Sequence, residues 1–274
     1  MSRTRTKIAL FPFDAKEGDR VGNLARVTEA AVEAASAGAR ILVLPEMWSC
    51  GYDLGAARAE GEVPGTSWQR EIDAVCALSE EHGIAIVGSV MEPAAEPGGT
   101  PWNAAIAHDA GREVARYRKA HLFAPLAEDQ FIAAGDALPE PFDLGDVRTA
   151  MAVCYDLRFP ELFRPASSAG VDLWCIAAQW PTVRIAQWRA LLVARAIENQ
   201  CFVAGVNRCG RLSRGGGDSD TPFGGNAMLV GPTGEVILDS GDRPELLVGE
   251  FDPAEARSWR ERFPAFGDRR TDLY

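Results

Sequence analysis

The chain has 274 residues, 47% of them hydrophobic and 24% charged, with a formal net charge of −11 at pH 7. That length suits one large α/β domain or two small ones, and the acidic balance argues against nucleic acid or an anionic membrane as a main partner. No run of about 18 uncharged apolar residues occurs, so no segment reads as membrane-spanning, and cytoplasmic residence is the expectation.

The opening "MSRTRTKIALFPFD" lacks the small-residue cleavage pattern of a signal peptide and reads as a first strand. Next, "DRVGNLARVTEAAVEAASAG" has Asp19 as N-cap, apolar residues at helical spacing and Gly38 as its stop. "RILVLPE" is a short buried strand, followed by a loop, a helix from Ser67 to His82 closed by Gly83, and the strand "IAIVGSV". "NAAIAHDAGREVARYRK" and "NAMLVGPTGEVILDS" each read as two strands joined by a glycine-containing turn. "SAGARILVLPE" (36–46) and "SAGVDLWCIAA" (168–178) repeat one theme of helix end, glycine stop and apolar strand, which suggests two similar halves. No Pro-, Gly- or Ser-rich linker divides the chain, and "RLSRGGGDSDTPFGG" (211–225) reads as a loop near the rim of a site. Residues 1–274 are therefore taken as one α/β domain, strands inside and helices outside.

Six cysteines lie without any C-x-x-C pair, and His82, His108 and His121 never reach H-x-x-x-H spacing. Neither a disulfide framework, a metal site nor a cofactor is expected. Cys76 sits on a helical face, and Cys175 and Cys201 fall in apolar strands, where a thiol serves as a small hydrophobe.

Cys154 is different, because "AVCYDLRFPELF" carries it to the last residue of a strand and then turns sharply. In open α/β sheets reactive groups collect beyond the carboxyl ends of strands. Glu46 and Lys119 stand at two other strand ends, so a carboxylate, an ammonium and a thiol are available together. That set can attack an amide carbon. Cys154 would be the nucleophile and Glu46 the general base and acid. Lys119 would stabilise thiolate and oxyanion, and the backbone N–H of Tyr155 would be a second oxyanion donor. A Cys/His hydrolase using His121 is the mechanistic rival, although a packing role for His121 fits its placement better. "RGGGDSD" lacks the ending of a phosphate-binding loop, and Arg195 with Glu198 reads as a structural helix pair.

"LPEMWSCGYD", "RYRKAHLF" and "CYDLRFPELFR", in that order, resemble the three signature stretches of the nitrilase superfamily of carbon–nitrogen hydrolases. The resemblance spans essentially the whole chain. It implies a four-layer α-β-β-α sandwich, a small-molecule amide as substrate, and dimers or larger homo-oligomers. It also implies a Cys-Glu-Lys triad, matched here by Cys154, Glu46 and Lys119. The family's second glutamate matches Glu128, which would orient Lys119 and the substrate.

Nitrilases proper tend to have Cys-Trp-Glu where this chain has Cys154-Tyr155-Asp156, which favours amides over nitriles. The stretch "AAQWPTVRIAQWRALLVARAIENQCFVAGVNRCG" is similar to the ω-amidase branch, implying a 2-oxo dicarboxylic monoamide such as 2-oxoglutaramate or 2-oxosuccinamate. Such a substrate needs a local cation in this acidic protein, and Arg184 or Arg158 could supply it, with Trp180 as a wall. An N-carbamoyl amino acid, a deaminated-glutathione-like amide or an aliphatic amide are the alternative substrates, and a non-catalytic binding module is the alternative class.

Overall fold

The structure, a computed structural model, describes residues 5–52, 54, 67–94, 96, 99–212 and 221–273. Strands β1 (Thr6–Leu10), β2 (Ile41–Val43), β3 (Ala85–Glu92) and β4 (Trp102–Asp109) send alternate side chains to opposite faces of one sheet. Ile8, Leu10, Ile41, Val43, Ala85, Val87, Ala105 and Ala107 enter a central core. Ala9, Leu42, Ile86, Ala104 and Ile106 face a second core. Helix α1 (Arg20–Ser36) closes that second core with Val27, Ala30, Ala31 and Ala34, and helix α2 (Ser67–His82) with Ile72, Val75 and Leu78. The Asp19 carboxylate caps α1 by accepting from the Gly22 N–H at 3.0 Å, and Gly38 takes φ 79° beyond its end.

A second sheet is built from β6 (Phe142–Leu144), β7 (Val147–Val153), β8 (Leu173–Ala178), β9 (Phe202–Asn207), β12 (Met228–Val230) and β13 (Val236–Asp239). Helix α4 (Pro160–Ser168) supplies Leu162, Phe163 and Ala166 to its core, and helix α5 (Ile185–Asn199) supplies Trp188, Leu192 and Ala196. Strands β3 and β4 pack across β8 and β7, and β1 across β9. The result is the α-β-β-α sandwich that the resemblance implied.

The first sheet runs β14-β1-β2-β3-β4-β5, with β5 at Arg112–Arg118 and β14 at Leu247–Phe251. The second runs β6-β7-β8-β9-β12-β13. In each, three consecutive strands are parallel, joined by α1 and α2 or by α4 and α5, with antiparallel strands on both sides. The repeated segments 36–46 and 168–178 occupy equivalent places, α1 into β2 and α4 into β8. Helix α6 (Pro253–Arg262) then docks on the second half, where Arg257 and Arg260 both pair with the buried Asp172.

Three readings need adjustment. The ends of 211–225 are not loop: β10 (Cys209–Leu212) pairs antiparallel with β11 (Thr221–Gly224), and the rim loop expected between them lies outside the described residues. Cys201 precedes β9 by one residue, because Gln200 in a left-handed conformation ends α5 and leaves Cys201 in the connection. Strand β2 stops at Val43, three residues before Glu46. Leu44 N–H still reaches Val87 O at 2.7 Å, Pro45 has no N–H to continue the ladder, and Glu46 N–H turns to Ala178 O of the opposite sheet at 3.4 Å.

Candidate active site

That departure carries Glu46 across the gap between the sheets. Met47 takes φ 49° and its N–H is held by Ser89 Oγ at 3.0 Å, while Trp48 N–H bonds Ser89 O at 3.1 Å. Gly88 beneath this turn permits the approach, since a Cβ there would lie 2.8 Å from Leu44 Cβ and 2.9 Å from Trp48 Cδ1. Lys119 follows the last residue of β5, and its N–H is fixed on Asn103 O at 2.8 Å. Glu128 opens the short helix α3 (Glu128–Phe131) after a left-handed Ala127. Cys154 follows β7 directly, with φ 47° at the first residue of a 3-10 turn, Cys154–Arg158. A left-handed residue that is not glycine is strained, and here the strain aims the side chain out of the strand direction.

The four side chains meet in a buried cluster. Lys119 Nζ lies 2.9 Å from Glu46 Oε1, and 2.7 and 2.9 Å from Glu128 Oε1 and Oε2. Glu46 Oε1 also accepts from Asn103 Nδ2 at 2.7 Å, and Oε2 accepts from the Gln179 backbone N–H at 2.8 Å. Glu128 further accepts from the Tyr52 hydroxyl and from Phe123 N–H at 2.7 Å. Burial, and after it the charge of Glu46, pushes the Glu128 carboxyl up to about 9. Burial alone would depress the Lys119 ammonium, but Glu46, Cys154 and Asp156 outweigh it and hold it above its ordinary value.

The Cys154 thiol is only 7% exposed, and burial, then the negative charge of Glu46, pushes it well above its ordinary range. Lys119 and the Gln179 backbone act the other way without reversing this. The pull of one shared ammonium thus does not offset the desolvation of a thiolate at this position, so the geometry calls for a base to take the thiol proton. Tyr155, second in the 3-10 turn, has an N–H that no carbonyl within the turn can accept.

Asp156, fully buried, holds the Lys119 segment against the Cys154 segment. Its Oδ2 accepts from Val153 N–H at 3.0 Å and Tyr117 hydroxyl at 2.9 Å. Its Oδ1 accepts from His121 N–H at 3.1 Å and lies 2.8 Å from His121 Nδ1. The His121 ring stacks on Phe159 with centroids 3.7 Å apart, which gives it the packing role read from the sequence. Arg195 and Glu198 do pair, at 2.8 Å, and Arg195 also donates to Leu157 O of the 3-10 turn at 2.7 Å.

Over the thiol lies a narrow cleft, with room for about one water molecule, lined by Tyr52, Phe123, Tyr155, Arg158, Trp180 and Arg184 among others. Trp180 lines this space. Arg158 is engaged, bonding Gln187 Oε1 at 2.6 Å and lying over the Trp180 ring at 4.7 Å. Arg184 stands 5.9 Å from the Phe123 centroid, and among the described residues no hydrogen bond or ion pair holds its guanidinium. The described residues also contain no cluster of His, Cys, Asp and Glu suited to a metal ion.

The carbon–nitrogen hydrolase family model matches residues 7–261. The chain belongs to the carbon–nitrogen hydrolase family. This hydrolase is 36% identical over 269 residues to the 2-oxoglutaramate amidase of Bacillus subtilis (strain 168), a match covering 97% of this chain and 98% of the relative. It is 33% identical over 250 residues to that of Paenarthrobacter nicotinovorans, covering 86% and 80%. An amidase of Nesterenkonia sp. AN1 superposes with a TM-score of 0.84 at 28% identity, covering 100% of this chain and 97% of the other. The matched structure is of a variant of the Nesterenkonia enzyme and shows the acetamide moiety of fluoroacetamide covalently added at its active-site cysteine.

Asn103, Gln179, Tyr52 and Asp156 also shape this hydrolase's site but were not singled out as site residues. A polar residue directly after the apolar strand "LWCIAA" was a local hint for Gln179. The importance of Asn103 and Tyr52 arises only from contacts across the fold.

Proposed function

We propose that the protein is an ω-amidase, hydrolysing the terminal amide of a 2-oxo dicarboxylic monoamide to the acid and ammonia. The observation that carries this reading is Arg184, a cation in the Cys154 cleft with no acidic partner among the described residues, suited to the carboxylate of such a substrate. The relatives named as 2-oxoglutaramate amidases support it.

In the reaction we assign, the Cys154 thiol gives its proton to Glu46 as sulfur bonds the amide carbon. A carboxylate oxygen accepts about two hydrogen bonds. Glu46 Oε1 already has Asn103 and Lys119, whereas Oε2 has Gln179 N–H alone among the described residues, so Oε2 takes the proton. The Lys119 ammonium and Tyr155 N–H stabilise the negative carbonyl oxygen, and Glu128 holds Lys119 in place. One such donor typically changes the rate by about a hundredfold or more. The carbon–nitrogen bond then breaks, nitrogen takes the proton from Glu46, and ammonia leaves a thioester. Water gives a proton to Glu46 and attacks the thioester carbon; the carbon–sulfur bond breaks, and sulfur recovers its proton.

The same reading takes residues 1–274 as one catalytic domain, acting in the cytoplasm as a dimer or larger homo-oligomer. Among the described residues no helix is long and apolar enough to cross a membrane.

Ammonia release from 2-oxoglutaramate and 2-oxosuccinamate, beside an N-carbamoyl amino acid and an aliphatic amide, tests the substrate class. The 2-oxo amides should be preferred, and Arg184→Met should raise their KM about tenfold to a hundredfold with the aliphatic amide little changed. Preference for another substrate, or an unchanged KM, rejects this assignment.

A further inference from the structure

Arg208 is fully buried immediately after β9, and all five of its N–H donors are occupied. Nε donates to Cys209 O at 3.2 Å. Nη1 donates to Glu17 Oε1 at 2.6 Å and Gln179 Oε1 at 2.8 Å, and Nη2 to Asp14 Oδ1 at 3.0 Å and Arg211 O at 3.4 Å. The Phe223 ring lies 5.1 Å away. Two carboxylates would neutralise this cation without the third side chain. The contact with Gln179 is therefore the one that charge balance does not require.

We infer that Arg208 is a positioning residue for the general base, acting on Glu46 through Gln179. A guanidinium only donates, so it fixes the Gln179 amide with Oε1 toward Arg208 and Nε2 away from it. Nε2 then donates to Glu46 O at 2.8 Å, while the Gln179 backbone N–H donates to Glu46 Oε2 at 2.8 Å. Glu46 is thus gripped at its main chain and at the carboxylate oxygen assigned to receive the thiol proton. The backbone N–H of Arg208 and that of Glu46 both reach Ala178 O, at 3.0 and 3.4 Å, so the clamp is anchored on one carbonyl. A base displaced by a fraction of an ångström from the thiol loses rate while substrate affinity is kept.

The inference rests on Glu46 being the base, which Glu46→Gln tests separately: an active Glu46→Gln enzyme removes that reading itself. With Glu46→Gln inactive, the decisive comparison is Arg208→Lys, Gln179→Met and the double variant, each with kcat, KM and Tm. Lysine keeps a charge for Asp14 and Glu17 but cannot hold Gln179 as well in the same fork. Arg208→Lys should lower kcat about tenfold to a hundredfold with KM within about threefold. The double variant should be no slower than the slower single variant, because both changes break one linkage. A wild-type kcat for Arg208→Lys, or single effects that multiply, overturns the inference and leaves Arg208 a structural bridge. If Arg208→Lys fails to fold, Gln179→Met decides alone: a kcat lowered at least tenfold supports the clamp, and a wild-type kcat overturns it.

Discussion

Cys154 is held at φ 47°, a conformation that costs a residue with a Cβ about 1 kcal/mol or more, and its neighbours sustain it. Val153 N–H is bound to Asp156 and Leu157 O to Arg195, so the turn is fixed on both sides of the sulfur. The strain and the burial place the thiol near Glu46, the carboxylate proposed above to take its proton. This has a consequence that separates thiol acidity from activity. The negative charge of Glu46 is, after burial, the main influence raising the thiol. Glu46→Gln should therefore lower the pH midpoint for alkylation of Cys154 by iodoacetamide while turnover falls at least a hundredfold. A midpoint that stays or rises, followed by mass analysis of the Cys154 peptide, would contradict the proposed charge arrangement.

At the scale of elements, β4 combines two duties: its start presents Asn103 to Glu46, and its far end buries His108 at 4% exposure with Nε2 unpartnered among the described residues. Burial pushes the His108 imidazole down to about 4. The unfolded chain binds that proton near pH 6.5, so between these values the unfolded state holds more protons and stability falls as pH falls. The loss from this group between pH 7.5 and 5 is about 2 kcal/mol. Urea unfolding at both pH values should show it, and His108→Asn should show a smaller drop over the same interval. An identical drop in the variant would remove His108 from the account.

Across the whole molecule, the site lies on the seam between two similar halves. Glu46, Lys119 and Glu128 come from the first half and Cys154, Gln179 and Arg208 from the second, with Asp14 and Glu17 reaching back to Arg208. This explains what was legible in the sequence. The alternation of β1 to β4 and the glycine stops at Gly38 and Gly170 are local signals, so an α/β domain of two similar halves could be read, while the sandwich came from the resemblance of the signature stretches. Cys154 and Lys119 directly follow strands, and the signature stretches around them singled them out together with Glu46. The upward shift of the thiol could not be read, since burial between two sheets is its main cause. Nor could the linkage from Arg208 through Gln179 to Glu46, which joins residues 133 and 29 positions apart. The chain favours Arg184 over Arg158 only slightly, since Arg158 so close to the nucleophile could simply brace the turn, and the Gln187 and Trp180 contacts of Arg158 are what separate the two in the fold.

The central claim is cysteine chemistry on a 2-oxo amide, and the most direct measurement is ammonia release from 2-oxoglutaramate by the wild-type protein and by Cys154→Ala. Turnover by the wild type is expected, with a loss of at least about a thousandfold in a folded Cys154→Ala variant. Turnover by Cys154→Ala within about tenfold of the wild type would contradict it, as would a wild-type protein inactive on this substrate but active on a simple amide.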